Sequence, residues 1–362
     1  MKKLLLILLC LPLLFISCDD TQKNTTNSTE NQKNKFSKLD SKDIKNVIKA
    51  ELKIEEFIKS SEDDLNEEEI NSNIEKSIII LKSRLYEFGV KKFNIRIENN
   101  KNITIELPKI SDLVRLKKII QSNTNLEFWE TYDLGKIGGT DKSILTSSFE
   151  KANNFIVNSI LSNSVDKKDS NLVSKQPLLS LIKQNQLNKT SQGPAIGYGP
   201  VVGYIEVKDT SKLREYLSST KSFFPNRLFL TLSAKAYENW DYTDPKNGLF
   251  ELIALKSDID GNPAMKGDVV IDAMGEINGQ YGGVSIQMDS RGTGQWRTLT
   301  KANIGNAIAI VLDGLVYSWP IVQDEIKLGR SYISGNFSLE EAQDLANIIK
   351  IGKMPISLKI IN

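Results

Sequence analysis

Few side chains in this 362-residue sequence could carry covalent or proton-transfer chemistry. It contains no histidine, which removes Ser-His-Asp and Cys-His sites, histidine-ligated zinc and histidine pH switching together. Its two cysteines, Cys10 and Cys18, stand at the extreme N-terminus, so the rest of the chain has no disulfide, thiol nucleophile or thiolate metal site. Paired carboxylates remain at Glu340-Glu341 and Asp63-Asp64, the one residue type left for general acid–base work. Each pair reads more simply as charge at a helix end. Asp258-Ile259-Asp260-Gly261-Asn262 has the look of a calcium loop but lacks the regular ligand series and closing Glu of an EF-hand, so a turn is expected. The glycines between 275 and 283 are not followed by Gly-Lys-Ser/Thr, so a hairpin connection is expected there and not a phosphate loop. The expectation is a protein without catalytic residues, metal or cofactor. What remains is binding. Tyr281, Trp296, Tyr317 and Trp319 are the candidate polypeptide-binding residues, since amphipathic aromatics suit such faces. Core and rim packing is the competing reading for each.

Cys18 has a chemistry of its own. Lys2 and Lys3 precede an apolar run, Leu4 to Ile16, shorter than the roughly 20 residues that a membrane span needs. Its basic start and the small Ser17 fit a secretory signal. Phe15-Ile16-Ser17-Cys18 resembles a bacterial lipoprotein cleavage box, with Phe15 where an aliphatic residue is usual. The resemblance implies that Cys18 is lipidated, becomes the mature N-terminus and makes the lipid bilayer a partner. A plain signal peptide cut nearby, or an uncleaved anchor, is the alternative. One acyl chain binds only marginally, whereas the several chains implied here would release slowly. Residues 1–17 are thus read as a lipoprotein signal peptide and 18–45 as a disordered tether, too polar to offset its ordering entropy. The expected location is the cell envelope, facing the periplasm or exterior.

The body has ordinary globular composition, 40% hydrophobic and 25% charged with a net charge of +2, and is long enough for two subdomains. The near-neutral balance argues against a nucleic-acid surface. After Ile16 no apolar run is long enough to span a bilayer. Asn66 and Glu69 form a capping box ahead of an apolar stripe, Ile70, Ile74, Ile78, Leu81, Leu85 and Phe88, which Gly89 ends. Phe93–Ile97 and Ile103–Leu107 alternate like a strand pair, Ser111 starts another helix, and Asn125–Thr131 reads as a strand. Strand or helix is left open for Asn46–Ile58. Asp209–Leu217 predicts a short helix, and Leu228–Ser233 and Phe250–Lys256 predict strands. In Ser290–Lys301, Gly292 and Gly294 each cost about 1 kcal/mol relative to alanine in a helix, so a frayed or rebuilt first turn is expected. Ala307–Leu312 and Leu315–Trp319 flank Asp313-Gly314, a strong hairpin signal. Ser338 and Glu341 cap a final helix that Gly352 and Pro355 stop.

The wording of several stretches resembles the first periplasmic domain of the SecD half of SecD/SecDF, which assists bacterial protein export, in its single-chain form. The residues that carry this are Gly199-Pro200-Val201-Val202-Gly203-Tyr204, Gly267-Asp268-Val269-Val270, Gly282-Gly283-Val284-Ser285-Ile286-Gln287-Met288 and the hairpin and helix of 303–355. Leu81–Val90 and Ile105–Pro108 resemble its opening helix and strand. The resemblance implies an α+β fold: a ferredoxin-like base subdomain split in sequence, with an inserted α+β head subdomain. On that scheme 46–134 begin the base, 135–200 are an irregular linker region, 201–337 are the head, and 338–362 supply the base's closing helix and strand. It transfers the periplasmic domain and not the proton-driven membrane motor. The implied function is non-enzymatic help to Sec-dependent export, with a complete SecDF, the Sec channel or unfolded secreted polypeptide as partner. A diverged structural or interaction lipoprotein of the envelope, with no export role, is the alternative.

Overall fold

The computed structural model describes residues 36–61, 65–99, 101–134, 140–163, 176–183, 199–234, 248–278 and 281–361. The chain opens with β1 (Asn46–Leu52), α1 (Ile54–Ser60), α2 (Glu67–Glu87), β2 (Asn94–Glu98), β3 (Asn102–Leu107), α3 (Leu113–Gln121) and β4 (Leu126–Thr131). It continues through α4 (Thr140–Asn163), β5 (Val201–Glu206), α5 (Thr210–Ser219), β6 (Leu228–Leu232), β7 (Leu249–Lys256) and β8 (Met265–Lys266). Last come β9 (Val270–Asn278), β10 (Tyr281–Met288), α6 (Ser290–Ala302), β11 (Ile308–Leu312), β12 (Leu315–Ser318), β13 (Arg330–Phe337), α7 (Leu339–Ile351) and β14 (Leu358–Ile360).

The first core is ferredoxin-like. Its antiparallel sheet has the order β14-β1-β3-β2, so the strand nearest the C-terminus pairs with the first, Leu358 opposite Leu52. Alternate residues Ile48, Ala50 and Leu52 on β1 and Ile103, Ile105 and Leu107 on β3 point to one buried side. There they meet the apolar stripe of α2 and Leu116 and Ile120 of α3. The capping box of α2 forms as its spacing requires, with Asn66 and Glu69 each accepting from the other's backbone N–H. The segment left open in the sequence, Asn46–Ile58, supplies a strand and then a short helix.

One expected strand goes elsewhere. Asn125–Thr131 does not close this unit, because β4 sits inside a larger seven-stranded sheet of order β12-β11-β4-β7-β5, with β6 also on β7 and β8 also on β4. The reason is burial on two faces. Ile308, Ile310 and Leu312 of β11 face one core with Leu126 and Phe128, while Ala309 and Val311 face another with Trp129 and Ile253. A strand apolar on both faces belongs in the middle of a sheet covered on both sides. Residues 135–200, expected as irregular, contain a 24-residue helix, α4, whose Leu145, Phe149, Ala152 and Ile156 are buried with Leu178 and Leu213. Its weak amphipathicity concealed it.

The third sheet, β13-β10-β9, lies under α7. That helix was expected to close the first unit, yet Ala342, Leu345, Ala346 and Ile349 pack into the core of the β9–β10–β13 sheet. Its other side meets α2 and α3, where Arg115 pairs with Glu340 and with Asp344, at 2.7 Å for the second of its two contacts there.

The first turn of α6 is regular, contrary to the expectation from its two glycines. The Asp289 carboxylate accepts from Gly292 N at 2.6 Å, an N-cap that offsets the weak propensity. A Cβ on Gly292 would fall 2.6 Å from Val269 Cβ, so the helix needs a residue without one to lie against the turn that precedes β9. Gly294 faces open space. Opposite signs are therefore expected: Gly294→Ala raises stability by about 0.4–1 kcal/mol and Gly292→Ala lowers it by about 1–3 kcal/mol. Urea denaturation midpoints at constant slope would measure both. Equal effects would contradict the close approach.

Candidate functional site

The sheet β13-β10-β9 is the candidate site, because one of its faces is packed and the other is open. Directly opposed residues of antiparallel strands share a face. Ala273, Val284, Ile286 and Ile333 therefore point inward, into the core shared with α6 and α7. The opposite face carries Asp272, Met274 and Glu276 on β9, Ser285 and Gln287 on β10, and Arg330 and Tyr332 on β13. These line a groove of about 540 Å³.

Glycines shape that groove. A Cβ on Gly283 would meet Tyr332 Cζ and Oη at 2.3 Å, so the Tyr332 ring lies across the strand where no side chain stands. A Cβ on Gly275, on the inner face, would fall 2.7 Å from Gln343 N, so β9 and α7 approach almost backbone to backbone. From sequence a flexible hairpin connection is expected for Gly275–Gly283. Gly275, Gly282 and Gly283 instead lie within β9 and β10.

The electrostatics are mixed. Arg330 Nε donates to Gln287 Oε1 at 2.7 Å. Lys350 of α7 reaches Asp272 at 2.7 Å, and that ion pair holds the Asp272 carboxyl below the usual range. Glu276 is exposed and has no ion pair among the described residues. Ile271, Met274 and Ile277 of β9 are 61%, 58% and 58% exposed, although they lie in a strand.

The four aromatics proposed from sequence do not converge on one exposed face. Trp296 is 3% exposed, with its ring 5.0 Å from that of Phe128, so no polypeptide can reach it. Tyr317 is half-buried and stacked on Phe337 at 6.0 Å. Burial, with Asp313 and Glu341 nearby, pushes its phenol above the ordinary range. Trp319 packs on the opposite side of the seven-stranded sheet, against the cluster of Trp129 and Val311, and its Nε1 donates to Glu251 Oε2 at 3.0 Å. Tyr281 opens β10, opposite Asn278. The physical reason is that aromatics supply the largest apolar area available to a core. Cys18 lies outside the described residues.

The Asp258 loop is a turn. Its carboxylate accepts from Asp260 N at 2.9 Å and Asn262 N at 2.7 Å, and these hydrogen bonds hold it below the ordinary carboxylate range. Among the described residues no three acidic, cysteine or histidine side chains are grouped to hold a metal. Also among them, no helix is long and apolar enough to cross a membrane.

Comparison with known proteins points in one direction. Residues 250–356 match the family model of the SecDF P1 head subdomain, and residues 74–133 match that of the N-terminal part of the P1 domain of protein translocase subunit SecDF. The protein translocase subunit SecD of Rhodothermus marinus is 28% identical over 303 residues, covering 80% of this chain and 46% of that protein. SecD of Syntrophobacter fumaroxidans is 37% identical over 99 residues, 27% of this chain and 19% of that protein. The chain thus spans less than half the length of these relatives. Among solved structures, a SecDF described as a membrane component that enhances protein export has a TM-score of 0.44 at 20% identity, covering 88% of this chain and 98% of that one. SecDF in a super-membrane-facing form gives 0.46 at 20% identity, covering 88% and 30%.

Proposed function

Because this chain carries the first periplasmic domain of the SecD/SecDF family, we propose that it is a non-enzymatic accessory of Sec-dependent protein export. It would bind polypeptide in transit and work beside a complete SecDF or the Sec channel. The observation that carries this reading is the open face of β9, β10 and β13, which falls within the residues that match the SecDF P1 head. An apolar Met274 and an amphipathic Tyr332, set among Ser285, Gln287, Arg330 and two carboxylates, suit a partner of varied sequence. A chain in transit is extended and unpaired, so it can use backbone hydrogen bonds that are indifferent to its side chains. Trp319 and Tyr317, half-buried, would contribute at most a rim to such a site.

Lipidation at Cys18 belongs to the same proposal. It would tether the domain to the envelope membrane and keep it near the exit of the channel. The test is one experiment with two arms. A photo-crosslinker at position 285, in cells, should recover nascent secreted chains or translocase subunits. Cys18→Ala should shift the protein to the soluble fraction and cut that recovery. Repeated absence of both kinds of product would end the export reading. Unchanged membrane association, without lipid mass on the N-terminal peptide, would end the anchor.

A second reading has one observation in its favour. Trp296, one of the two tryptophans among the candidates for peptide recognition, is enclosed in the core. A diverged envelope interaction protein with no export role would predict normal export on deletion and specific recovery of a different envelope partner.

A further inference from the structure

Strand β9 ends its sheet, and among the described residues nothing pairs with its outer side. The order β13-β10-β9 leaves it at the edge, and among the described residues no bridge or backbone hydrogen bond reaches it from the side away from β10. Other edges are treated differently. Lys183 bridges Tyr204 on β5, Ser233 bridges Val316 on β12, and Ser37 bridges Lys92 just ahead of β2. The edge strand β14 is three residues long with Lys359 at its centre. β13 lies against β12, where Tyr317 stacks on Phe337. Short edges, lysines and covering segments are how sheets avoid unwanted pairing. Among the described residues β9 has such a guard at one end only, the Lys350–Asp272 ion pair.

From Met274 onward the edge is open for five residues, about 17 Å of strand. Its side chains there are unusual for an unprotected edge. Met274 and Ile277 are each 58% exposed, and Glu276 stands between them without an ion pair among the described residues. In a strand laid antiparallel against β9, the residues facing Met274 and Glu276 would be two positions apart and on the groove side. Glu276 favours a cation there, and Met274 favours an apolar side chain.

We infer that β9 is the docking edge for an extended polypeptide segment, which adds to the sheet as a fourth strand and places a basic residue opposite Glu276 and an apolar residue opposite Met274. The inference deepens the polypeptide-binding reading and rests on it for the class of partner. Backbone pairing supplies tolerance, and the Glu276–Met274 pair supplies a preference for segments in which a basic and an apolar residue stand two positions apart. The groove beside it, with Tyr332 and Arg330, receives the side chains on that face.

The test uses the full-length protein in detergent and three twelve-residue peptides. One repeats Lys-Ser-Val-Ser, so that lysine and valine stand two positions apart on one face, one repeats Glu-Ser-Val-Ser, and one is the lysine peptide with alternate backbone nitrogens methylated. Affinity and amide hydrogen exchange across 270–278 are read together. The lysine peptide should bind and slow exchange in 274–278, the glutamate peptide should bind more weakly, and the methylated one should not bind. Glu276→Lys should weaken the lysine peptide about tenfold and strengthen the glutamate one. Met274→Lys, a second exposed position, should weaken both. Protection that maps elsewhere, or affinity indifferent to Glu276→Lys, overturns the edge while leaving polypeptide binding in place. Protection of β9 that rises with protein concentration and needs no peptide also overturns it, in favour of a second copy. Should the peptides bind as described and the in-cell crosslinks fail, the export role falls and the edge stands.

Discussion

Arg84→Ala should lower stability by about 3–5 kcal/mol, the cost expected when a buried charged hub is removed. Arg84 is 1% exposed on α2 and faces the place where the chain crosses between the ferredoxin-like core and the rest. There are two crossings, from α3 into β4 and from α7 into β14, and they are hydrogen-bonded to each other through Met354 N and Asn123 O at 3.2 Å. The guanidinium serves both. It donates to Ile119 O at 3.2 Å, to Ser122 O and to Thr124 Oγ1 at 2.5 Å on one side, and to Gly352 O at 3.5 Å on the other. These carbonyls end α3 and α7, so the cation also meets the negative ends of two helices. Asp313 grips the first crossing from the hairpin turn, accepting from Ser122 Oγ at 2.6 Å and Asn125 N at 2.9 Å.

Burial lowers the Arg84 pKa to about 10, with Asp313 opposing the shift. A depressed pKa on a base means that the folded state disfavours the proton. The group's contribution is therefore flat below pH 10, where folded and unfolded chains both hold the proton, and becomes more favourable to folding only above it. Across the neutral range the substitution effect should not vary with pH on this group's account. Arg84→Met, which keeps volume but not donors, should cost less than alanine, and Arg84→Lys less again. Calorimetry or urea titration of the three would measure the series. A loss below about 1 kcal/mol for alanine would mean that water replaces the guanidinium without strain.

Trp296→Ala should cost about 3–5 kcal/mol as a core truncation. This distinguishes the two readings of that residue. A surface binding residue could be truncated with little effect on folding and a large effect on affinity. Trp296 instead fills the space between α6 and Phe128, and it belongs to the same core as Val269 and Met288. Stability should fall before any binding phenotype can be assigned. Trp296→Phe should recover much of the loss, because it keeps a ring beside Phe128. An alanine variant with an unchanged denaturation midpoint would return Trp296 to the surface.

Local signals proved legible where a few neighbouring residues decide the outcome. The capping boxes at Asn66–Glu69 and Ser338–Glu341 formed with their reciprocal hydrogen bonds. Asp313-Gly314 adopted the two positive φ values, 52° and 79°, that its hairpin needs. The alternation in 103–107 correctly implied one packed face. The helix α4 was harder to read, since its buried residues are mixed with Ile144 and Phe155, which are each 44% exposed. Nothing local distinguishes an aromatic that fills a core from one that lines a binding face. Residue type alone therefore points to Trp296 as a binding residue and passes over Met274 and Glu276, which line the open face.

By itself the sequence determined the absence of histidine and of thiols after Cys18, the caps and turns, and the family resemblance, because each is a property of residue identity or of neighbours along the chain. Tertiary structure alone decided which strands pair. Leu358 meets Leu52 across some 300 residues of intervening chain, and β4 leaves the unit it follows. It also decided that Asp313, a turn residue by sequence, holds the crossing beside Arg84, and that Met274 of β9 is left exposed while Trp296 is enclosed. The physical reason is the same in each case: pairing and burial depend on which apolar faces find each other in space, and no short window of sequence contains both partners.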